Sequence, residues 1–334
     1  MSNLSVFVGL DYHPGSVQVC VLDAAGDVLA NGTRPNDAAE LDRTVRQFGD
    51  RIQAALEVSP GAANLADELV TRFGWSVDLA HPGYVSRMRQ SPDKTDFSDG
   101  RLLADLTRVG YLPKVWRAPL EVRELRELVR FRQQLVAQRR ATKLRMRAVL
   151  RNHRLVGPGR AWCKAWLIWL AEEAALPGHS RWVINRHLAA LESLAAEIKL
   201  VEQRLTESIA QDAISQRLLA EEGIGLVTAA TLRAEIGRFD RFRSGKQLCR
   251  FCGLSPCNAS SGSRQADAGL IQASNRELRR VLIEAGHRLV NHTDTWSQLA
   301  EQMQRRGKPR ALVVAAVANR WMRRLYHDLK SLAA

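Results

Sequence analysis

Asp96 and Asp99 stand three residues apart in SPDKTDFSDGRLLADL, residues 91–106, where the pattern turns helical. That spacing puts both carboxylates on one face of a first helical turn, where they repel each other unless a cation bridges them. The same spacing fits Asp96 as a helix cap and Asp99 as a favourable first-turn charge, with no ion required. Asp11 closes the stretch LSVFVGLD and Glu57 closes IQAALE, so Asp11, Glu57, Asp96 and Asp99 can converge at one edge of a sheet. Such a set suits Mg²⁺, a hard ion that prefers oxygen ligands and phosphate substrates. A second candidate lies in GLSPCNASSGSR, residues 253–264, where Ser260 and Ser261 precede Gly262 in a stretch that reads as a loop. A nucleophilic serine usually shows its base, yet the ionisable neighbours are Arg250, Arg264 and Asp267, with no histidine before His287. Chemistry at Ser261 therefore needs help from elsewhere in the chain.

The elements that would position these groups read as α/β followed by α. LSVFVGLD is a buried strand, and SVQVCVLDAAGDVLANGT is two strands joined by a turn at 24–27. A helix over 37–49, the strand ending at Glu57, a helix over 61–73 and the strand WSVDLAH complete a mixed sheet covered by helices. From 121 to 155 the chain is strongly helical, with Leu128, Leu135, Thr142 and Val149 recurring at seven and Phe131 at an intermediate core position, a coiled-coil-like or bundle pattern whose heptad positions offer a dimerisation surface. Trp162, Trp166 and Trp169 share one helical face and read as packing. After a turn at LPGHS a long helix covers 181–210, which makes the middle third an antiparallel helical spacer. In LLAEEGIGLVTAATLRAEIGRF, Gly223 and Gly225 hinge two helices. That resembles a helix-hairpin-helix contacting phosphate through backbone N–H groups, and it fits a plain helix cap equally well. The domain boundaries are 1–120, 121–210 and 211–334.

Charge sharpens the expectation of a polyanionic partner. The 334 residues carry a formal net charge of +14, with residues 1–110 at −5 and the remainder at +19. An acidic head suits cation binding and a basic body suits nucleic acid, although two plain soluble domains would give the same numbers. Between Arg123 and Arg154 there are 11 Lys/Arg against two Glu, including Arg139, Arg140, Lys143, Arg145 and Arg147. Such one-sided charge repels itself unless a polyanion lies alongside, the alternative being a solvated face. The five scattered cysteines and the lack of a secretory signal point to reduced thiols in a cytoplasm. Cys249, Cys252 and Cys257 invite zinc if His287 came close, and KQLCRFCGL reads equally as a core helix. The apolar run ALVVAAVA is too short to span a bilayer, so no membrane is expected.

Taken in order and spacing, Gly9-Leu10-Asp11, Glu57, KTDFSDGRLLADL and GLSPCNASSGSR resemble the DEDD-type insertion-sequence transposases, the bridge-RNA-guided recombinases, over essentially the whole chain. The resemblance implies a ribonuclease-H/resolvase-like first domain that binds Mg²⁺ through Asp11, Glu57, Asp96 and Asp99, and a mainly helical C-terminal transposase domain. It implies a nucleophilic serine before a glycine, a few residues after a Gly-Leu-x-Pro turn, which is Ser261. It also implies donor and target DNA, a structured non-coding RNA, and a homo-oligomer, dimer or tetramer, with sites assembled from two subunits in a nucleoid-associated cytoplasmic protein. Gly100 departs from the alanine usual after the second Asp. In LIQASNRELRR, Gln272 and Ser274 replace the usual lysine and glycine, while Asn275, Arg279 and Arg280 remain, and Arg279 and Arg280 join Arg264, Gly223 and Gly225 as expected nucleic-acid contacts. Two other functions fit the residues: a metal-dependent junction resolvase without a covalent intermediate, and a catalytically inactive nucleic-acid-binding scaffold.

Overall fold

A computed structural model describes residues 4–89, 95–258, 267–272 and 274–333, and the chain divides into two compact units, 1–118 and 119–334. In the first unit, β1 (Ser5–Tyr12), β2 (Ser16–Leu22) and β3 (Val28–Pro35) form an antiparallel meander. Helix α1 (Ala38–Arg46) then leads to β4 (Arg51–Glu57), and α2 (Ala62–Phe73) leads to β5 (Ser76–Ala80). Helices α3 (Pro82–Met88) and α4 (Asp96–Arg108) precede a short β6 (Lys114–Val115). The strand order is β3-β2-β1-β4-β5-β6, with β1, β4 and β5 mutually parallel and β6 antiparallel to β5.

Alternation along the strands decides what lies on each face. Val6, Val8 and Leu10 of β1 pack with Leu41, Val45, Leu65 and Leu69 of α1 and α2. The opposite face meets α4 through Cys20, Leu22 and Ala104 around Phe7, and through Ala55 with Leu103 and Leu106. Gly9 lies on this second face, and its lack of a side chain is what lets α4 approach: a Cβ there would stand 1.8 Å from the Gly100 carbonyl oxygen and 2.6 Å from the Ala104 nitrogen. Gly100 is different, because a Cβ on it would meet Cys20 and Gln18 at 3.5 and 3.6 Å, ordinary contact distances. Gly100→Ala is therefore expected to raise stability by up to about 1 kcal/mol through helix propensity. A higher urea midpoint with an unchanged slope would show it.

The second unit opens with α5 (Leu120–Asn152), α6 (Lys164–Glu172) and α7 (Gly178–Ile209). Leu125, Val129 and Leu135 of α5 pack with Ile198, Val201, Leu205 and Ile209, whereas Met146 and Leu150 pack with Ile184. The start of one helix meets the end of the other, so α5 and α7 are antiparallel. Two sequence expectations change here. Leu135 and Thr142 are buried, and Leu128 and Val149 pack half-buried, but their seam faces α7 of the same chain, so it is not open as a dimerisation surface. Phe131 falls off the seam and is 45% exposed. The three tryptophans do pack, with Trp166 buried between Trp162 and Trp169, although α6 starts after Trp162.

Helices α8 (Ala213–Leu219), α9 (Leu226–Ile236) and α10 (Gly245–Phe251) follow, then β7 (Pro256–Asn258) paired antiparallel with β8 (Asp267–Leu270). Helices α11 (Arg276–His292), α12 (Asp294–Arg305) and α13 (Arg310–Lys330) close the unit around Leu282, Leu289, Val317 and Trp321. Cys249 and Cys252 belong to this core, and burial pushes the Cys249 thiol up to about 12 and Cys252 well above the usual thiol range. His287 is exposed, and neither cysteine belongs to a cluster of metal-binding geometry among the described residues, so both fit the core-helix reading. No helix among the described residues is long and apolar enough to cross a membrane.

Candidate active site

Asp11 lies two residues beyond Gly9, and Glu57 two beyond Ala55, so the pleat turns both toward the face that α4 covers. Leu10 pairs with Leu56 across the parallel strands, which sets Asp11 and Glu57 side by side at one sheet edge. The N-terminus of α4 is delivered to that edge by the Gly9 contact and by Asn31, whose side chain donates to the Phe97 carbonyl at 3.2 Å. The helix cap is Thr95, in a reciprocal capping box with Ser98. Asp96 is thus not a cap. It occupies the first helical position, with Asp99 in the same turn, beside the positive end of the helix dipole.

Asp11, His13 and Asp96 come together: one ligand atom from each lies within 4.8 Å of the others, the one such cluster of metal-binding geometry among the described residues. His13 Nε2 is 3.5 Å from Asp11 Oδ2 and 3.5 Å from Asp96 Oδ2. His13 escaped the sequence reading because a histidine before Pro14 looks like a turn residue. The available signal was its spacing of two from Asp11 at the end of a strand, which places both side chains on one face. Asp99 is buried, and its Oδ1 sits 2.7 Å from Arg89 Nη2 without a hydrogen bond of proper alignment, while Arg89 Nε also lacks one. Two carboxylates and an imidazole are a donor set that fits a divalent cation, whereas Glu57 and Asp99 are not part of that cluster and Asp99 faces Arg89 instead.

Ser260, Ser261 and Arg264 lie outside the described residues, but the two ends of their segment are described. Gly253 takes a left-handed φ of 74° after α10, and a Cβ there would strike Ser274 Oγ at 2.3 Å. The Leu254 carbonyl accepts from Asn319 Nδ2 at 3.0 Å, and the Ile271 N–H donates to the Ser255 carbonyl at 3.0 Å. Arg279 donates to Ser274 Oγ at 2.6 Å and to the Ile271 carbonyl, so it staples the same stem. Arg280 is held by Glu277 and Glu284, both at 2.9 Å. Asn275 caps α11 and donates to buried Glu235 at 2.7 Å. Gly225 caps α9 with no side-chain partner for the first-turn N–H groups, and the Gly223 carbonyl accepts from Arg288.

The basic charge of α5 is divided by the fold. Arg126 and Arg130 face Glu235 at 3.6 and 3.1 Å, and Arg132 faces Glu202 at 2.7 Å. Arg139, Arg140, Lys143, Arg145 and Arg147 have no acidic partner among the described residues. One half of the helix spends its charge inside the protein and the other presents it.

An acid-edged mixed sheet followed by a helical unit, one helix of which carries five cations with no acidic partner among the described residues, is suited to chemistry on phosphodiesters. Residues 8–154 match the family model of IS110-type DEDD transposases, and residues 215–302 match the model described as transposase IS116/IS110/IS902 family. The chain is 29% identical over 327 residues to a "probable family 20 transposase" of Pseudomonas aeruginosa, covering 96% of this chain and 95% of that one. It is 27% identical over 320 residues to the transposase for insertion sequence element IS1111A of Coxiella burnetii, covering 93% and 86%. It is 28% identical over 231 residues to the transposase for insertion sequence element IS1328 of Yersinia enterocolitica, covering 69% and 68%. The chain belongs to the DEDD-type insertion-sequence transposases and is a DNA transposase.

Proposed function

We propose that this transposase breaks and rejoins DNA through a phosphoserine on Ser261, with Mg²⁺ held by Asp11, Glu57, Asp96 and Asp99 and with a structured RNA choosing the DNA partners. The observation that carries the reading is the meeting of Asp11, His13 and Asp96 within 4.8 Å at the sheet edge, with Glu57 beside Asp11 and Asp99 in the same turn as Asp96. The strand order, a three-stranded antiparallel meander extended by parallel strands, supports a ribonuclease-H-like reading of this domain. When bound, the ion would offset charge that develops on the phosphate. Ser261 Oγ bonds to phosphorus as the bond to the leaving sugar oxygen breaks, the hydroxyl proton passing to a carboxylate and a proton returning to the leaving oxygen. That explains a nucleophilic serine with no histidine near it in sequence. His13 holds Asp11 and Asp96 in place and adds a nitrogen donor to the set.

The functional division follows the same lines: 1–120 for the acids, 121–210 as the basic helical spacer, 211–334 for the serine. The five unpaired cations of α5 support contact with DNA and RNA backbones, and the open first turn of α9 at Gly225 supports another phosphate contact. A homo-oligomer, dimer or tetramer, remains part of the reading, built on surfaces other than the α5 seam.

Strand exchange between donor and target plasmids, supplied with RNA transcribed from the element's flanks, tests the proposal. Asp11→Asn, Glu57→Gln, Asp96→Asn and Asp99→Asn should each reduce exchange by about 10³-fold or more, since members of one catalytic unit fail together. Excess chelator should do the same. Full exchange in chelator, or by Asp11→Asn, would contradict it.

A further inference from the structure

Besides its seam toward α7, α5 carries a second stripe: Val136, Arg139, Arg140, Lys143, Leu144 and Arg147, at spacings of three, four, seven, eight and eleven from the first, which is one helical face. With Trp162 these residues line a recess of about 280 Å³. We infer that this recess receives one unpaired base of a single-stranded nucleic acid, with the neighbouring phosphates on the rim of cations. The inference rests on reading α5 as a nucleic-acid-binding helix.

The chemistry of the walls is that of a nucleotide. The floor is apolar, made by half-buried Val136, by Leu144, which is 52% exposed, and by the Trp162 indole. The rim is four cations with no acidic partner among the described residues. A planar apolar ring flanked by anions satisfies both, whereas a duplex keeps its base faces stacked away.

Trp162 is built for this position rather than merely found there. Its backbone takes a left-handed φ of 72°, a conformation that non-glycine residues rarely adopt and that persists where the surroundings enforce it. Trp166 supports the ring from within, centroids 4.6 Å apart, and Lys143 Nζ lies over it at 4.7 Å. Burial against the ring, with Arg139 nearby, lowers the Lys143 pKa, so its ammonium gains from a phosphate. Lys143 thus covers the face that a base would take and moves to the phosphate when the base arrives.

Anisotropy of the full-length protein with labelled twelve-nucleotide dT and U strands, and with a twelve-base-pair duplex, tests the inference. Trp162→Leu should weaken single-strand binding about five- to 150-fold, the loss that removing one stacking aromatic gives. Trp162→Phe should keep most of it, and neither change should alter duplex affinity or the salt dependence. Leu144→Gln, an uncharged change at an exposed position that leaves the fold alone, should act like Trp162→Leu and guards against a folding defect in the latter. A greater loss on U than on dT identifies RNA as the occupant, and equal losses assign the site to either strand. If Trp162→Leu and Leu144→Gln both bind single strands like wild type, or weaken duplex equally, no base sits there. Combined Arg139→Gln, Arg140→Gln and Arg147→Gln should flatten the log-log salt slope by about two on single strands. If that slope holds, the underlying assignment of α5 fails as well; if it flattens while the pocket variants do nothing, only the pocket fails.

Discussion

Ser261→Ala is expected to abolish strand exchange and to leave nucleic-acid affinity within about twofold of wild type, the scatter of a neutral surface change. One hydroxyl is lost and no charge, so the phosphate contacts that dominate affinity persist. Because a nucleophile cannot be replaced by its surroundings, the loss should reach the detection limit of the plasmid assay. Ser260→Ala, one residue before it, should retain measurable exchange. Recombination by Ser261→Ala, or a dead Ser260→Ala beside an active Ser261→Ala, would move the nucleophile elsewhere. The stem of this segment is held by β7 with β8, by Asn319 on the Leu254 carbonyl and by Arg279 on Ser274, contacts that the substitution leaves in place.

Gly9→Ala should be nearly as damaging by a different route. The added methyl would fall 1.8 Å from the Gly100 carbonyl oxygen, backbone against backbone, so α4 has to move off the sheet. Overpacking of this kind costs about 3 kcal/mol or more, and the displaced helix carries Asp96 and Asp99 away from Asp11. Both stability and exchange should therefore fall, in contrast to Gly100→Ala on the facing backbone. A Gly9→Ala protein with wild-type unfolding midpoint and full exchange would show that the close approach of β1 and α4 does not set the site.

Much of this was legible in residue patterns. Alternation marked the strands, and the acids at their ends marked the edge where they stop, because a strand's last residues look outward to whatever helix crosses there. Asp96 and Asp99 announced themselves by spacing. What was not legible depended on distant partners. The 11 cations between Arg123 and Arg154 look alike in sequence, yet Glu235 and Glu202, from 70 to more than 100 residues away, neutralise Arg126, Arg130 and Arg132, while Arg139, Arg140, Lys143, Arg145 and Arg147 have no acidic partner among the described residues. The heptad positions of α5 suggested a second chain, while the antiparallel α7 supplies their cover. Arg89 against Asp99 is likewise a tertiary pairing that no local pattern predicts. Arg279 and Arg280, expected to contact nucleic acid, also bond within the protein, to the Ile271 carbonyl and Ser274 and to Glu277 and Glu284.

Trapping the protein on DNA bears most directly on the proposed chemistry. Wild-type protein, its RNA and a target duplex are incubated with Mg²⁺, denatured, digested with protease and nuclease, and the peptides are read by mass spectrometry. The expected result is a nucleotide joined through phosphate to Ser261, absent when Asp11→Asn protein or chelator is used. Recombinant DNA formed with no protein-linked nucleotide, or with the nucleotide on another residue, would contradict a phosphoserine at Ser261 and leave direct hydrolysis at the acidic edge as the chemistry of this transposase.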